Sequence, residues 1–437
     1  MNDIDRLFER LDESTCNFMA VARMKRELDD LGFEELDPRE PWRLRKSARY
    51  YVTKNDSAIF AFIPGTELPS KGGFRLIAAH SDSPCFKIKT NPEIYGDGGV
   101  VGLNVEKYGG GIMYTWFDRP LSISGRVMLD SGNPLEPETR LVDFRRPVAT
   151  IPHLAIHFNR QVNEGNPLSV QKDMKPVLGY FSKEQLRQAS ENGGFIRLML
   201  AGELKTEPDR ILDYELCLYP YEKAGVCGLE GEYYQSARID DLSMAFAALE
   251  ALELSADKPC PATRMIMIFD NEETGSSTKQ GAASAFARSL AERVTACLEP
   301  DAPQAFHQAI ASSFLISADN AHAWHPNYNE KYDPTNHPVI GGGPVVKINA
   351  NCKYMTDARS AAVFRALCRE AKVPCQYFVN HGDVAGGSTL GNILTSQLDL
   401  SGVDMGCAIW AMHSARETAG LSDHFDTEKA FTAFFMH

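Results

Sequence analysis

The second half of the chain alternates continuous apolar runs with helical patterns, and this alternation constrains the fold more than any other feature of the sequence. TRMIMIF, SFLISA, VVKIN, QYFVN and AIWA are short runs typical of buried strands, whereas LSMAFAALEALEL and ARSAAVFRALCREA are typical of helices. Such alternation indicates crossovers between mostly parallel strands, with helices on both sheet faces. We therefore predict an α/β fold with a mixed, mostly parallel sheet flanked by helices.

Two helix starts in this half carry typical capping residues. Asp240 or Asp241 can cap the first helix and Thr356 the second, because their side-chain oxygens accept hydrogen bonds from first-turn amides. We expect the helices to begin at these positions.

Regular patterns also organise the first part of the chain. Residues 5–32 carry apolar side chains at helical spacing, which predicts one or two amphipathic helices. Alternating segments at 50–53 and 58–63 flank a Lys–Asn–Asp turn and predict a β-hairpin. The apolar run at 74–79 is typical of a strand that is buried on both faces.

The stretch from about 96 to 233 has a different texture. It is rich in Gly and Pro and contains the short runs GGIMYTWF, LSISGRVML, FIRLMLAGEL and ELCLYPYE, which indicate a mainly β region. A chain of 437 residues exceeds what one hydrophobic core usually organises, so we expect two domains, with insertion of one into the other as an option.

Net charge, hydropathy and cysteine spacing indicate which partners and which cellular compartment suit this chain. A formal net charge of −13 opposes sequence-independent binding to nucleic acid and to anionic membranes. The first residues lack the apolar segment of a signal peptide, and no apolar stretch approaches the ~20 residues of a membrane span. The ten cysteines form no C-x-x-C pair and are typical of reduced thiols. We expect a cytoplasmic protein.

Residues that bind metals follow several of the predicted strands. Because ligands collect at the carboxyl ends of parallel strands, these residues could converge at one sheet edge. Histidines and carboxylates without thiolates match a hydrolytic site for zinc or a similar divalent ion. The residues at these strand ends are His80, Asp82, Asp270, Glu272, Glu273, Asp319, His322 and His413, and the pair Asp240–Asp241 opens a helix.

A two-metal site assigns a role to most of these side chains. In such a site a carboxylate bridges the ions, and a shared water becomes a hydroxide at neutral pH. We assign Asp240 as the bridge. His80 and Asp319 complete the coordination of one ion, and Glu273 and His413 complete the coordination of the other.

Two further acids have supporting roles in this assignment. Asp82 lies on the same face of an extended segment as His80 and can orient the His80 ring by accepting a hydrogen bond from its far nitrogen. Glu272 is the candidate general base, which takes a proton from the water and gives it to the leaving amine.

Each of these residues also has a purely structural interpretation. A lone histidine is more often a core or surface residue, adjacent acids are usually a solvated turn, and Asp240 is an ordinary helix cap. The spacing between the ligands is too wide to form a local motif. The residues alone therefore indicate a metal hydrolase without identifying it.

Longer motifs resemble those of the aspartyl aminopeptidase family. AAHSDSPCFKIK, IPHLAIHFNR, SARIDDLSMAF, FDNEETGS, SADNAHAWHPNY, GPVVKIN, GGSTLGNI and AMHSARE occur in the family's order over nearly the whole chain. The resemblance implies a zinc aminopeptidase-like catalytic domain at 1–95 and 234–437. It also implies an inserted β-rich domain at 96–233 that assists dimer contacts and covers the site.

The resemblance carries the site assignments onto this chain, with two divalent ions per subunit, zinc first and manganese or cobalt as alternatives. It matches His80, Asp240, Glu273, Asp319 and His413 as ligands, with Glu272 as base and Asp82 as orienter. It adds His322 as a substrate contact. It also implies that His153 or His157 of the inserted domain reaches the active site of a neighbouring subunit.

Family members assemble into tetrahedral dodecamers and remove N-terminal Asp or Glu from peptides. An acidic side chain needs a cation once it is desolvated, and Lys353 is the candidate here, with an exposed lysine of no function as the alternative. Asn380 and His381 stand where relatives often have Arg, so a broader or neutral preference stays open. A deacylase or carboxypeptidase with two metals is a rival hypothesis, and so is a non-catalytic scaffold on the same fold.

Overall fold

The computed structural model describes residues 3–437. Its helices are α1 (Asp3–Glu13), α2 (Asn17–Asp30), α3 (Pro69–Gly72), α4 (Val170–Asp173), α5 (Lys183–Glu191), α6 (Phe195–Leu204), α7 (Ile239–Ser255), α8 (Phe286–Leu298), α9 (Ala305–Ala311), α10 (Ala358–Glu370), α11 (Leu390–Gln397) and α12 (Leu421–Phe434).

The strands follow in the same chain-order numbering. They are β1 (Glu34–Glu35), β2 (Tyr50–Lys54), β3 (Ala58–Ile63), β4 (Phe74–His80), β5 (Cys85–Tyr95), β6 (Val100–Tyr108), β7 (Leu121–Leu129), β8 (Glu138–Asp143), β9 (Val177–Tyr180), β10 (Ile211–Pro220), β11 (Gly225–Cys227), β12 (Tyr233–Ser236), β13 (Thr263–Phe269), β14 (Phe314–Ala318), β15 (Ala321–His322), β16 (Val345–Ile348), β17 (Gln376–Val379), β18 (Ser401–Gly406), β19 (Ala408–Trp410) and β20 (Glu417–Gly420).

The main sheet has nine strands in the order β1-β2-β3-β13-β4-β14-β18-β16-β17. The neighbours β13, β4, β14 and β18 pair in parallel, and β2 and β3 form the expected hairpin. All seven residues of β13 are buried, as a strand covered on both faces requires. The mixed, mostly parallel α/β fold predicted from the sequence is confirmed.

Helices cover both faces of this sheet. Ile266 and Ile268 of β13 belong to a core built with α1, α2, α7, α10 and α12, whereas Met265 and Met267 belong to a core built with α8, α9 and α11. Alternate residues of one strand therefore enter different cores, because side chains along a strand point to opposite faces. Across residues 3–437, the helices all fall short of the length and apolarity that crossing a bilayer demands.

The chain divides by its contacts into two compact units, which we describe separately. The first unit contains the chain up to Asp82, Ala224–Met412 and Glu417–His437, and the second contains Ser83–Lys223 and His413–Arg416. The first segment of the first unit ends at Asp82 and not at residue 95. The reason is that β5 pairs with β6 and β10 and so belongs to the sheet of the second unit.

The second unit contains a six-stranded antiparallel sheet in the order β8-β7-β10-β5-β6-β9. The prediction of β-strands is wrong for two of the apolar runs in this region. FIRLMLAGEL is helix α6, which packs Ile196 and Leu200 into the unit's core, and GGIMYTWF contains a short 3₁₀ helix at Met113–Trp116. Continuous apolar runs of this length do not distinguish a strand from a buried helix.

The strand AIWA lies outside the nine-stranded sheet. It forms β19, which pairs with β15 and β20 in a separate five-stranded sheet. The strand that continues the main sheet is β18, whose sequence SGVDMG lacks the continuous apolar run that the other buried strands display.

Both expected helix caps differ from the prediction. Asp357, not Thr356, caps α10, in a reciprocal pair of hydrogen bonds with Ser360. Asp240 and Asp241 have non-helical dihedral angles at the start of α7 and are joined by a cis peptide bond. Their carboxylates make other contacts, which lie at the carboxyl edge of the main sheet.

Candidate metal centre

The carboxyl ends of three neighbouring parallel strands bring the predicted ligands to one edge of the main sheet. β4 ends at His80, β14 ends one residue before Asp319, and β13 ends just before Asp270. Asp240 and Asp241 arrive at the same edge from the start of α7. The register of the strands therefore determines which side chains meet.

Four buried side chains form a group that we call the acid cluster. His80, Asp240, Asp241 and Asp319 each offer a ligand atom, and these atoms all lie within 4.8 Å of one another. His80 Nε2 is 3.9 Å from Asp240 Oδ1. A carboxylate oxygen of Glu273 lies within the same 4.8 Å distance of Asp240. The first unit thus assembles four of the five predicted ligands.

Asp241 belongs to the acid cluster but was not predicted as a ligand. Its Oδ2 accepts a hydrogen bond from His80 N at 3.1 Å, and its Oδ1 accepts one from Asn320 Nδ2 at 3.4 Å. Asp241 therefore ties the end of β4 to the segment after β14, whereas Asp240 N donates to Glu417 Oε2 at 3.0 Å.

Asp82 makes more contacts than the sequence indicated. The His80 Nδ1 atom lies 3.0 Å from the Asp82 carbonyl oxygen and 3.4 Å from Asp82 Oδ1. The Asp82 carboxylate also accepts hydrogen bonds from Glu272 N at 3.1 Å and Glu273 N at 3.2 Å. Asp82 thus positions the His80 ring and the turn that presents both glutamates.

Burial changes the pKa values of the side chains in and beside the acid cluster. It raises the pKa of Asp241 well above its ordinary value and raises that of Asp319, despite the nearby Lys347. Burial also raises the pKa of Glu272 to about 8. Although burial alone would lower the pKa of His80, the charge of Asp241 holds it well above its ordinary value.

The donor set fits divalent metal ions. Three buried carboxylates beside one imidazole carry more negative charge than the neighbouring side chains neutralise, so a cation stabilises the deprotonated cluster. Nitrogen and oxygen donors without thiolate match catalytic rather than structural zinc sites. His80, Asp240 and Asp319 are the residues of this unit that would hold the first ion.

A buried lysine, which the sequence interpretation missed, lies beside the acid cluster. Lys347 of β16 is buried, with Nζ 3.5 Å from Asp319 Oδ2 and 5.8 Å from the centre of the Tyr354 ring. Lys353 is exposed, and its backbone N lies 3.5 Å from Asn349 Oδ1. The available signal was a lone lysine inside the apolar strand VVKI.

The remaining predicted residues lie in three places. His322 is exposed at the end of β15, with its ring 5.9 Å from that of Phe378. In the second unit, His153 is half-buried against Phe117, and His157 is exposed. His413 opens the segment grouped with the second unit, where its carbonyl oxygen accepts a hydrogen bond from Ile112 N at 2.9 Å.

Known proteins match almost the whole chain. The family described as aminopeptidase I zinc metalloprotease (M18) matches residues 10–435. A Clostridium novyi protein named "Probable M18 family aminopeptidase 2" is 44% identical over 431 residues, which cover 99% of this chain and 98% of that protein. A chain in the structure titled "Cryo-EM structure of the Ape4 and Nbr1 complex" has a TM-score of 0.94 and 33% identity, covering 99% of this chain and 85% of its own. The mApe1 dodecamer of S. cerevisiae has a TM-score of 0.87 and 26% identity, covering 100% of this chain and 97% of its own.

Proposed function

The chain belongs to the M18 family of aminopeptidase I zinc metalloproteases, which are hydrolases, and from that premise we propose that it removes Asp or Glu from the N-termini of peptides with two divalent ions. The resemblance to aspartyl aminopeptidases is thereby confirmed at the level of the family. The observation that carries the proposal is the acid cluster, in which His80, Asp240 and Asp319 lie together in the buried edge of the main sheet.

The proposed ligand set extends the acid cluster to two ions. His80 and Asp319 would hold the first ion, Glu273 and His413 would hold the second, and Asp240 would contribute to both. His413 is included because it lies in the family motif AMHS. The short distance between Asp240 and Glu273 supports the assignment of Glu273 to the second ion. When bound, the ions would lower the pKa of a water molecule and polarise the scissile carbonyl group.

Glu272 is the proposed general base. It lies in the turn held by Asp82, and its raised pKa of about 8 suits a group that accepts a proton and then donates it near neutral pH. The proton passes from the attacking water to the Glu272 carboxylate and then to the amine that leaves. Asp82 keeps both the turn and the His80 ring in place for this transfer.

Lys347 is the proposed cation for the acidic side chain of the substrate, in place of Lys353. Although burial alone would lower its pKa, the charge of Asp319 raises it, so Lys347 stays protonated. A buried ammonium group beside the reacting centre favours a carboxylate over a neutral side chain. His322 is the proposed substrate contact, since it is the last residue of β15, the strand that follows Asp319, and its side chain is exposed.

The inserted region and the assembly complete the proposal. We propose that the β-rich region covers the site and assists dimer contacts, and that His153 or His157 reaches a neighbouring subunit. The mApe1 dodecamer supports a dodecameric assembly for this chain, with a tetrahedral arrangement and a cytoplasmic location as further parts of the proposal.

A substrate panel tests this function. Aminoacyl anilides of Asp, Glu, Ala and Leu are compared with their N-acetylated equivalents, with zinc, manganese or cobalt added. We expect kcat/KM for the acidic substrates to exceed that for Ala by at least ~10-fold, with no hydrolysis of the acetylated compounds. Equal rates for Ala and Asp would establish broad specificity instead, and hydrolysis of acetylated substrates would establish a deacylase.

A further inference from the structure

Asp404, which the proposed mechanism does not use, is a fully buried carboxylate in β18. A buried charge must be hydrogen-bonded to be tolerated, so its partners indicate what it holds in place. Oδ2 accepts a hydrogen bond from Met355 N at 2.6 Å, and Oδ1 accepts one from Thr389 Oγ1 at 2.6 Å. These partners lie in two separate segments that follow β16 and β17.

The two threonines next to helix starts bond to Asp404 rather than to their own helices. Thr389 is the N-cap of α11, yet it makes no capping hydrogen bond, because its hydroxyl donates to Asp404. Thr356 Oγ1 accepts from Asp404 N at 2.8 Å, and Asp357 caps α10 instead. One residue of β18 therefore fixes the starts of two helices.

The first turn of α11 approaches the Asp404 carboxylate closely. A Cβ atom added at Gly391 would lie 2.5 Å from Asp404 Oδ1, so only glycine allows this approach. Burial raises the pKa of Asp404, and the helix N-terminus opposes this rise because it stabilises a negative charge.

The same residue lies next to the lysine proposed to bind substrate. Val346 of β16 pairs with Met405 of β18 in antiparallel register, so the following position, Lys347, comes opposite Asp404. Tyr354, whose ring lies 5.8 Å from Lys347 Nζ, precedes the Met355 amide that Asp404 holds. Asp404 thus fixes the aromatic group beside the ammonium.

We propose that Asp404 is a positioning residue for substrate selection: it holds the segment at 349–356 and the start of α11 so that Lys347 faces the acidic side chain. This inference rests on the proposed preference for Asp and Glu. Asp404 itself touches no reacting atom, and its effect passes through Met355, Tyr354 and Thr389.

Two conservative variants test the proposal in the full-length, zinc-loaded protein. Asp404→Asn removes the charge and one acceptor, and Thr389→Val removes one donor without changing size. Each should lower the ratio of kcat/KM for Asp-anilide to that for Ala-anilide by about 10-fold, since a hydrogen bond to a charged group is lost. We expect kcat for Ala-anilide to change by less than about 2-fold and the zinc content to stay constant.

A control variant and a second readout separate positioning from general destabilisation. Thr295→Val removes a buried hydroxyl from α8, where it donates to Ala291 O within the same helix and makes no hydrogen bond to Asp404, and it should leave the ratio unchanged. Hydrogen exchange at the Met355 amide should accelerate in Asp404→Asn and stay slow in Thr295→Val.

The outcomes distinguish this inference from the proposed function. A wild-type protein that prefers Asp over Ala, together with unchanged ratios in Asp404→Asn and Thr389→Val, would overturn the inference alone. A wild-type protein without any preference would overturn the proposed specificity and the inference with it. A lowered ratio in both threonine variants would assign the effect to stability and also overturn the inference.

Discussion

Two clusters of buried charge in the first unit differ in how their charge is balanced. In the arginine cluster, Arg10 bonds Glu27 at 2.6 Å and Glu250 at 2.9 Å, and Arg23 bonds Glu27 at 2.8 Å. Burial alone would raise the pKa of Glu27, but the hydrogen bonds from Arg10 and Arg23 hold that pKa below its ordinary value. In the acid cluster, burial instead raises the pKa of Asp241 and Asp319.

This difference distinguishes a structural charge cluster from the proposed metal site. Burial raises the pKa of Glu250, but arginines of the protein supply the countercharge in the arginine cluster, so this cluster needs no ion from solution. The acid cluster has an excess of carboxylates, which repel one another unless they are protonated or a cation joins them. The predictions below test this distinction, starting with the largest expected effect on catalysis.

Metal removal should abolish catalysis, because the proposed mechanism requires metal ions bound at the acid cluster. We expect complete loss of peptide hydrolysis after dialysis against a chelator, with recovery on addition of zinc. Zinc at 100 times its Kd should also raise the free energy of unfolding by about 2.7 kcal/mol for each ion bound, measured by calorimetry. Full activity in protein shown to be metal-free would contradict the assignment.

Glu272→Gln should lower turnover by at least ~100-fold while zinc content is retained, since the variant loses the proposed general base and keeps the proposed ligands. Steady-state kinetics and metal analysis of the same sample measure both quantities. Glu253→Gln, which alters a glutamate bonded to Arg6 beside the arginine cluster, is the matched control and should keep normal turnover. Near-normal turnover in Glu272→Gln would remove this residue from the mechanism.

Lys347→Met should lower the Asp-to-Ala ratio of kcat/KM by about 30-fold, which corresponds to about 2 kcal/mol for a lost buried charge pair. Lys353→Met provides a control of identical chemistry at an exposed position. It should leave the ratio unchanged. The reverse pattern would restore Lys353 as the specificity residue.

Glu27→Gln should destabilise the protein by about 3 kcal/mol, because it leaves the buried Arg10 less well paired. Turnover per folded molecule should not change. Denaturant unfolding and steady-state kinetics measure the two effects. A loss of zinc or of turnover in this variant would show that the two clusters are not independent.

The sequence predicts the parts of the fold that depend on burial alone. Runs such as TRMIMIF are apolar throughout because both sheet faces are covered, and β13 occupies the predicted residues. β18 escapes prediction because its sequence contains Asp404 and two glycines, whose roles depend on distant segments. FIRLMLAGEL escapes because an apolar run of that length fits a helix or a strand equally well.

The candidate site shows the same division. Acids and histidines at strand ends are visible in the sequence, since parallel strands bring their carboxyl ends to one edge. The contacts of Asp82 with the Glu272 and Glu273 amides are not visible, because they join residues about 190 positions apart. Lys347 was missed because a lysine usually lies at the surface, and only the fold reveals that Asp319 accompanies it.

Anomalous diffraction at the zinc edge, from crystals of the zinc-loaded protein, tests the central claim most directly. We predict two peaks per chain, one of them about 2.0–2.2 Å from ligand atoms of His80, Asp240 and Asp319. Zinc bound elsewhere, with these carboxylates hydrogen-bonded to one another and no peak between them, would contradict the claim that the excess of buried acids is a metal site.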